Sequence, residues 1–92
     1  MEFRVIEREV KVINSLGLHA RPAAQLVRLA STFECEIHLV KDGLPVNGKS
    51  IMGVMMLAAE CGSIIGVRAD GPDEAAAIAA MVDLISSGFG ET

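Results

Sequence analysis

The chain has 92 residues, of which 51% are hydrophobic, and a formal net charge of -4. This length fits one domain, residues 1–92, whose core must be built from aliphatic and methionine side chains because the chain has three Phe and no Trp or Tyr. The acidic balance argues against nucleic acid and anionic membrane surfaces as partners, since both require a concentrated basic face.

The N-terminal segment, residues 1–8, is charged and lacks the apolar stretch of a signal peptide. No apolar run is long enough to cross a bilayer, so we expect a cytoplasmic protein without membrane insertion. Cys35 and Cys61 form no CxxC pair, and the sequence therefore indicates neither a disulfide framework nor a metal site. We expect Cys35 to be a core strand residue.

The first predicted strand spans residues 4–13, where apolar Ile6, Val10 and Val12 alternate with charged residues. One face of this strand is expected to be buried.

A helix is predicted over residues 20–32, and the residues at its start indicate a function. Gly17 ends the preceding extended segment, and Pro22 fits the first helical turn, where its missing N–H leaves no hydrogen bond unmade. His19 is then the N-cap. The apolar stripe of the helix consists of Ala23, Leu26, Val27 and Ala30.

This position makes His19 a candidate phosphoryl acceptor. The first backbone amides of a helix lack intrahelical partners, and the macrodipole is positive there, so the terminus binds anions. The same field disfavours the imidazolium form, and a neutral ring has a lone pair that can attack phosphorus. The amides of Ala20 and Arg21 and the guanidinium of Arg21 would hold the phosphoryl oxygens. An exposed cap residue beside a solvated arginine is the alternative that this motif alone leaves open.

Two strands and a tight turn are predicted next. Residues 35–39 alternate between apolar and polar side chains, which predicts a strand with one buried face. Asp42-Gly43 predicts a hairpin into a short strand at residues 44–47, and Pro45 indicates that this strand lies at a sheet edge.

The remaining sequence predicts a helix, a strand and a helix. Ser50 is a suitable N-cap for a short, very apolar helix that stops near Gly62. The alternation at residues 65–69 predicts the last strand. Asp73 and Glu74 suit the start of a final helix, which we expect to end at Gly88. The alternating strands favour a mostly antiparallel sheet with helices on one face and water on the other.

Three segments of the chain match one known family. They are Gly-Leu-His-Ala-Arg-Pro-Ala at residues 17–23, Asn-Gly-Lys-Ser-Ile-Met-Gly-Val-Met at residues 47–55 and Ala-Asp-Gly-Pro-Asp-Glu at residues 69–74. In these segments the chain resembles the HPr phosphocarrier family of the bacterial phosphoenolpyruvate-dependent phosphotransferase system. The resemblance covers essentially the whole chain, and the first two segments together are far more specific than either alone.

The resemblance implies an α+β open-faced β-sandwich, βαββαβα, in which three helices cover one face of a four-stranded antiparallel sheet. It implies that His19 accepts phosphate on Nδ1 from enzyme I and delivers it to an enzyme IIA-type acceptor, with Arg21 on the phosphate side. Such a protein is a phosphoryl-transfer intermediate rather than a turnover enzyme. We expect it to be a monomer without a cofactor.

Ser50 is a second candidate site. By itself, serine at this position favours a helix cap. In many members of the resembled family, however, the matching serine is phosphorylated by a dedicated kinase, and the resemblance therefore implies regulatory phosphorylation by an HPr kinase/phosphorylase. A phosphoserine would add about two negative charges at a helix start and change the field beside the histidine.

A docking surface is also predicted around the histidine. Its residues are Leu18, Ala20, Arg28, Ile51, Met52 and Met55. The short helix is apolar nearly all round, so one side of it should be exposed, and exposed methionines adapt to several partners. The alternatives are that the methionines belong to the core and that Arg28 lies on a solvated helix face.

The family resemblance is mixed between two branches. Residues 14–16 and 86–89 look more like the nitrogen-branch paralogue NPr, whereas Ser50 and its surroundings look like the sugar-branch HPr. His38 has no matching role and is expected to be an ordinary surface histidine.

Two other functions remain compatible with the residues. One is a regulatory binding module that acts through Ser50 alone, and the other is a small acyl-phosphate or phosphate-ester hydrolase. A carrier needs a site without a positioned general base. No acidic residue lies within ten positions after His19, and Glu9 is the nearest before it.

Overall fold

The computed structural model describes residues 6–91. These residues form four strands and three α-helices, followed by a short 3-10 turn. The elements are β1 (Ile6–Lys11), α1 (Ala20–Ala30), β2 (Glu36–Lys41), β3 (Leu44–Asn47), α2 (Ile51–Met56), β4 (Ile64–Asp70), α3 (Glu74–Ser86) and the 3-10 turn Gly88–Gly90. The predicted order of elements is confirmed. Residues 4–5 of the predicted first strand, and most of the charged segment 1–8, lie outside the described residues.

The four strands form one antiparallel sheet in the order β1-β4-β2-β3. In β2 and β4 alternate residues point into a core between the sheet and the helices, as the period-2 pattern predicts. In β1 the expected buried face is incomplete, because Val10 is buried but Ile6 is 36% exposed. The fully buried side chains of this core include Val12, Leu26, Ile37, Leu39, Val54, Ile65, Val67, Ile78, Met81 and Ile85. The opposite face of the sheet is polar, and its side chains include Glu7, Glu36, His38 and Arg68. The open-faced sandwich is therefore confirmed.

The hairpin between β2 and β3 has the turn that its sequence requires. Asp42 and Gly43 have φ angles of 52° and 80°, and positive φ at both central residues gives the type I′ twist that joins antiparallel strands. β3 pairs only with β2, so Pro45 lies on an edge strand as predicted.

Helices α1 and α2 both end earlier than predicted, and α2 ends at Met56 rather than near Gly62. α1 ends at Ala30 rather than residue 32, because the Ser31 and Thr32 hydroxyls donate hydrogen bonds to the carbonyls of Val27 and Leu29 and close the last turn. α2 ends at Met56, and two residues later Ala58 adopts a left-handed φ of 50° that reverses the chain.

Asp73 joins the start of α3 to the start of β2. Its carboxylate accepts hydrogen bonds from the backbone amides of Glu34, at 2.8 Å, and Cys35, at 2.9 Å. These bonds, that of Glu34 above all, lower the pKa of Asp73 below its usual value. Cys35 is buried as expected, although it lies one residue before β2, and burial raises the pKa of its thiol to about 11.

The segment after α3 was predicted only to stop the helix at Gly88. In the structure Gly88, Phe89 and Gly90 all have positive φ, at 71°, 61° and 73°, so the chain reverses within three residues. Phe89 is buried and anchors this turn in the core. The reversal places Glu91 beside the start of α1. None of the helices within residues 6–91 combines the length and apolar character that a membrane crossing requires.

Candidate functional site

His19 is the N-cap of α1, as predicted. Its backbone is extended, with φ -75° and ψ -172°, and its carbonyl accepts the first helical hydrogen bond from Ala23 at 3.0 Å. Pro22 is buried in the first turn. The imidazole makes no cap hydrogen bond to the free amides of the helix, so these amides stay available to another acceptor.

The loop before the histidine is fixed against the segment that follows α2. Gly17 has a left-handed φ of 66°, and a Cβ at this position would lie 2.3 Å from the carbonyl oxygen of Ala59. The amide of Leu18 donates to that same oxygen at 2.8 Å. Only glycine satisfies both the backbone angle and the close approach, and the loop therefore holds His19 in one place.

The imidazole of His19 contacts a carboxylate that the sequence did not associate with it. Nε2 lies 3.0 Å from Oε2 of Glu91 and 3.3 Å from Oε1. The His19 side chain remains 34% exposed. Because a carboxylate only accepts hydrogen bonds, Nε2 must carry the proton in this contact, and in the neutral ring Nδ1 then has the free lone pair.

Asn14 completes this hydrogen-bond network and was also missed. It is only 4% exposed, and its Nδ2 donates to the carbonyl of Gly17 at 2.7 Å and to Oε1 of Glu91 at 3.0 Å. The two contacts to Glu91 join positions 72 and 77 residues apart. No local pattern in a sequence reports such pairs; the only hint was that Asn14 is a polar residue in a short loop that leads into the histidine.

His19 has no acidic residue close to it in the sequence, but in the folded structure Glu91 lies beside its imidazole ring. Both carboxylate oxygens lie at Nε2, and one of them also accepts from Asn14. The carboxylate is thus held on the side of the ring away from the nitrogen with the lone pair. This position suits proton retention at Nε2 rather than activation of water at a group on Nδ1.

Arg21 lies on the exposed side of the first turn of α1. Within residues 6–91 its guanidinium makes neither a hydrogen bond nor an ion pair with another side chain. The amides of Ala20 and Arg21 are at helix positions that have no intrahelical acceptor. A guanidinium and two amides without protein partners, next to a nucleophilic nitrogen, can together bind a tetrahedral anion.

The predicted docking residues are exposed, with one exception. On α2 the exposed fractions are 46% for Ile51, 73% for Met52 and 46% for Met55, so these side chains do not belong to the core. Ala20 and Arg28 are exposed as well. Leu18 is only 5% exposed, and the expectation that it contributes to docking was wrong, because its side chain packs into the core beneath the loop.

Two further large apolar side chains are exposed, one before α1 and one at the end of α2. Leu16, in the loop before His19, is 72% exposed, and Met56, at the end of α2, is 76% exposed. We refer to Leu16, Ile51, Met52, Met55 and Met56 as the apolar surface. A monomer rarely leaves large apolar residues exposed together without a use for them.

Ser50 caps α2, as its sequence position predicts. Its Oγ accepts a hydrogen bond from the amide of Gly53 at 3.1 Å, and its side chain is half-buried. The neighbouring Lys49 donates from Nζ to the carbonyl of Phe33 at 2.7 Å. The cap is thus a structural fact, while modification of Ser50 remains a prediction.

His38 lies on the polar face of the sheet. It belongs to β2 and is paired with Arg68 of β4 and Asn47 of β3. The His38 side chain is half-buried on the solvent-facing side of β2. Across residues 6–91, no group of three or more His, Cys, Asp or Glu side chains is arranged to hold a metal ion.

Comparison with known proteins gives consistent matches along the chain. A family model described as the PTS HPr component phosphorylation site matches residues 6–87. The phosphocarrier protein HPr of Cupriavidus necator is 47% identical over 87 residues, which are 95% of this chain and 98% of that protein. The HPr of Treponema pallidum is 48% identical over 95% of this chain and 99% of its own. The crystal structure of HPr-C-His from Thermoanaerobacter tengcongensis, 48% identical, superimposes with a TM-score of 0.90 and covers 95% of this chain and 98% of that one.

Proposed function

The chain belongs to the HPr family, the phosphocarrier proteins of the phosphotransferase system, and we propose that His19 is the residue that carries the phosphoryl group. A member of this family is a phosphoryl-transfer intermediate and not a turnover enzyme, which sets aside the hydrolase alternative. The observation that supports His19 most strongly is its contact with Glu91, because that contact leaves Nδ1 as the free nucleophile at the start of a helix.

In the proposed transfer, the Nδ1 lone pair attacks the phosphorus of the donor. A bond forms between Nδ1 and phosphorus, the bond between phosphorus and the donor breaks, and its electron pair leaves with the donor. Nε2 keeps its proton, so the ring becomes positively charged as the bond forms. The carboxylate of Glu91, already within hydrogen-bond distance of Nε2, stabilises this developing charge.

The phosphoryl oxygens are held on the other side of the ring. The free amides of Ala20 and Arg21 and the exposed guanidinium of Arg21 supply donors and positive charge there. Transfer to the next protein is the reverse process, in which an acceptor nucleophile attacks phosphorus and the electron pair of the Nδ1–P bond returns to the ring. The neutral Nε2–H tautomer is then restored.

We propose enzyme I as the donor and an enzyme IIA-type protein as the acceptor. The apolar surface and Arg28 are the proposed docking site for both. A surface made largely of exposed methionines suits successive partners of different shape, because methionine side chains adapt to each.

We further propose that Ser50 is the site of regulatory phosphorylation by an HPr kinase/phosphorylase. Its hydroxyl is partly accessible and caps the helix that bears most of the apolar surface. A phosphate there would lie beside Ile51 and Met52, and its charge would oppose the burial of these residues against a partner.

Incubation with enzyme I and labelled phosphoenolpyruvate tests the acceptor residue. The expected result is one acid-labile label per chain, lost in His19→Ala and retained in His38→Ala, the matched variant of the second histidine. Labelling that survives His19→Ala would contradict the proposal, as would steady release of inorganic phosphate. Labelling at Ser50 alone, by ATP and a kinase, would favour the regulatory-module alternative.

A further inference from the structure

We propose that Asn14 is a positioning residue for phosphoryl transfer, which acts through Glu91 to keep the proton of His19 on Nε2. The proposal deepens the function proposed above and rests on it. Asn14 does not touch the imidazole in the hydrogen-bond network; it holds the carboxylate that does.

The side-chain hydrogen bonds of Asn14 position groups around His19 and do not improve the packing of the hydrophobic core. Its amide nitrogen has two hydrogens and uses both, one toward the Gly17 carbonyl at 2.7 Å and one toward Glu91 Oε1 at 3.0 Å. Its Oδ1 is buried and has no hydrogen-bond partner within residues 6–91. A buried carbonyl without a partner destabilises a fold, and an apolar side chain of similar size would therefore serve packing at least as well. We therefore explain the presence of asparagine at position 14 by the two groups to which its side-chain nitrogen donates, the Gly17 carbonyl and the Glu91 carboxylate.

Asn14 links the loop before His19 to the C-terminal segment that bears Glu91. On one side, the loop at Gly17 is fixed by its left-handed backbone and by the contacts at Ala59. On the other side, Glu91 follows the 3-10 turn Gly88–Gly90, in which Gly88 and Phe89 are buried. The bond from Asn14 to Oε1 leaves Oε2 as the oxygen closer to Nε2, at 3.0 Å against 3.3 Å. The amide thus sets the orientation of the carboxylate toward the ring.

This orientation decides which ring nitrogen reacts. With the carboxylate fixed at Nε2, the proton stays there and Nδ1 has the lone pair. Without the Asn14 donors, the carboxylate loses one of its two hydrogen-bond partners, and the ring samples the other tautomer and other orientations. Outer hydrogen-bond partners of functional histidines typically change activity by roughly 10-fold or more when they are removed.

The test uses two variants of similar size, Asn14→Leu and Asn14→Asp. Leucine has no hydrogen-bond donor and a carboxyl group has at most one, so neither side chain can donate to both Gly17 and Glu91. Asn47→Leu is the matched control, since Asn47 is an exposed asparagine whose side chain bonds only a local backbone amide. Thermal unfolding is measured for each variant to show that it folds. If Asn14→Leu does not fold, the comparison is made with Asn14→Asp.

The first readout needs no partner protein. Nitrogen NMR of the imidazole reports the tautomer, and phosphoramidate, which phosphorylates histidine with release of ammonia, reports the reacting nitrogen through the ratio of the two phosphohistidine isomers. We expect the wild type and Asn47→Leu to show the Nε2–H tautomer and the Nδ1 isomer. In both Asn14 variants the tautomers should mix, and the share of the Nε2 isomer should rise severalfold.

The second readout is transfer from enzyme I. The turnover rate should fall about tenfold in the Asn14 variants with little change in KM, because Asn14 is buried and does not dock. In a Glu91→Gln background, Asn14→Leu should cause little further change, since both residues act through one contact. Unchanged tautomer and isomer ratios, or effects that add fully to those of Glu91→Gln, would overturn the inference. Failure of enzyme I to label the wild type would instead overturn the proposed function and leave the NMR result standing.

Discussion

We propose that two charged side chains serve His19 at different atoms. Glu91 contacts Nε2 and is part of the folded structure before any phosphate arrives, whereas the guanidinium of Arg21 is exposed and makes no contact with other side chains in residues 6–91. The two residues should therefore differ in what their loss does. Loss of Glu91 should change the tautomer of the His19 ring before any reaction. Loss of Arg21 should have an effect only when a phosphoryl group is present.

Arg21→Ala should slow phosphorylation of His19 by about 10-fold to 100-fold, which corresponds to one charge-assisted hydrogen bond to phosphate. The melting temperature should not change, because within residues 6–91 the guanidinium makes neither a hydrogen bond nor an ion pair. Initial rates with enzyme I and thermal unfolding measure the two effects. Arg28→Ala is the comparison, and it should raise KM for enzyme I more than it lowers the turnover rate. A loss of stability in Arg21→Ala without a transfer defect would contradict the assigned role.

The residue scale also shows what a sequence can predict about a site. The position of His19 followed from Gly17 and Pro22, because helix starts have local signals that lie within a few residues of the cap. Glu91 and Asn14 could not be found in this way, since their contacts depend on how the chain closes after α3. Leu18 was misjudged for a related reason: it precedes the partly exposed His19 in sequence, but its own side chain faces the core.

At the scale of elements, α2 combines a cap, an exposed apolar face and a candidate phosphorylation site within seven residues. The cap and the helix were predictable from Ser50 and the apolar run that follows. The exposure of Met52 and Met55 followed from the fact that a helix apolar on all sides cannot bury all of them.

Ser50→Asp should weaken the binding of enzyme I without destabilising the protein. Aspartate is as good an N-cap as serine, so the hydrogen bond to Gly53 can be retained while a negative charge is placed beside the apolar surface. Titration at low and high ionic strength measures the effect, which should diminish as salt screens the charge. Ser50→Ala is the control: it should lose about 1 kcal/mol of stability with the cap but bind enzyme I normally. Equal affinity of Ser50→Asp and wild type at all salt concentrations would be evidence against this docking site.

The connection between α3 and β2 should depend on pH through Asp73. Hydrogen bonds from the Glu34 and Cys35 amides lower the pKa of Asp73 in the folded state below its ordinary value of 3.8. Its stabilising contribution is therefore fully present above pH 3.8 and is lost as the pH falls through the lower folded value.

Asp73→Asn should accordingly be less stable than wild type at pH 7, and the two should converge as the pH falls below 3.8. Urea unfolding at several values between about pH 2 and about pH 7 measures the difference in the free energy of unfolding. Asp42→Asn is a suitable control, because Asp42 is exposed in the hairpin turn. A difference that stays constant over the whole pH range would mean that Asp73 acts through geometry and not through its charge.

On the scale of the whole molecule, the two faces have different characters. The open face of the sheet is mainly charged, while the end of the sandwich near His19 bears the apolar surface. The element order was predictable because period-2 and helical patterns are local. The turn at Gly88–Gly90 was not, because three successive left-handed residues, one of them Phe89, have no distinctive sequence pattern.

Ile51→Ser should raise the KM for enzyme I severalfold, whereas Ile64→Ser should not. The two isoleucines are almost equally exposed, at 46% and 50%, but Ile64 lies on the open face of the sheet among charged residues. Partial burial of Ile51 against a partner is worth about 1 kcal/mol, and its replacement costs that contribution. Steady-state transfer rates at several concentrations measure the KM. A similar effect of both substitutions would show that docking is not confined to the end that bears His19.

The 72-residue separation between His19 and Glu91 has a consequence for newly made protein. A ribosome that has just released the first helix has exposed the histidine but has not yet synthesised the carboxylate that orients it. Nascent chains, and fragments left by proteolysis after α3, should therefore exchange phosphoryl groups poorly even where the sheet has begun to form.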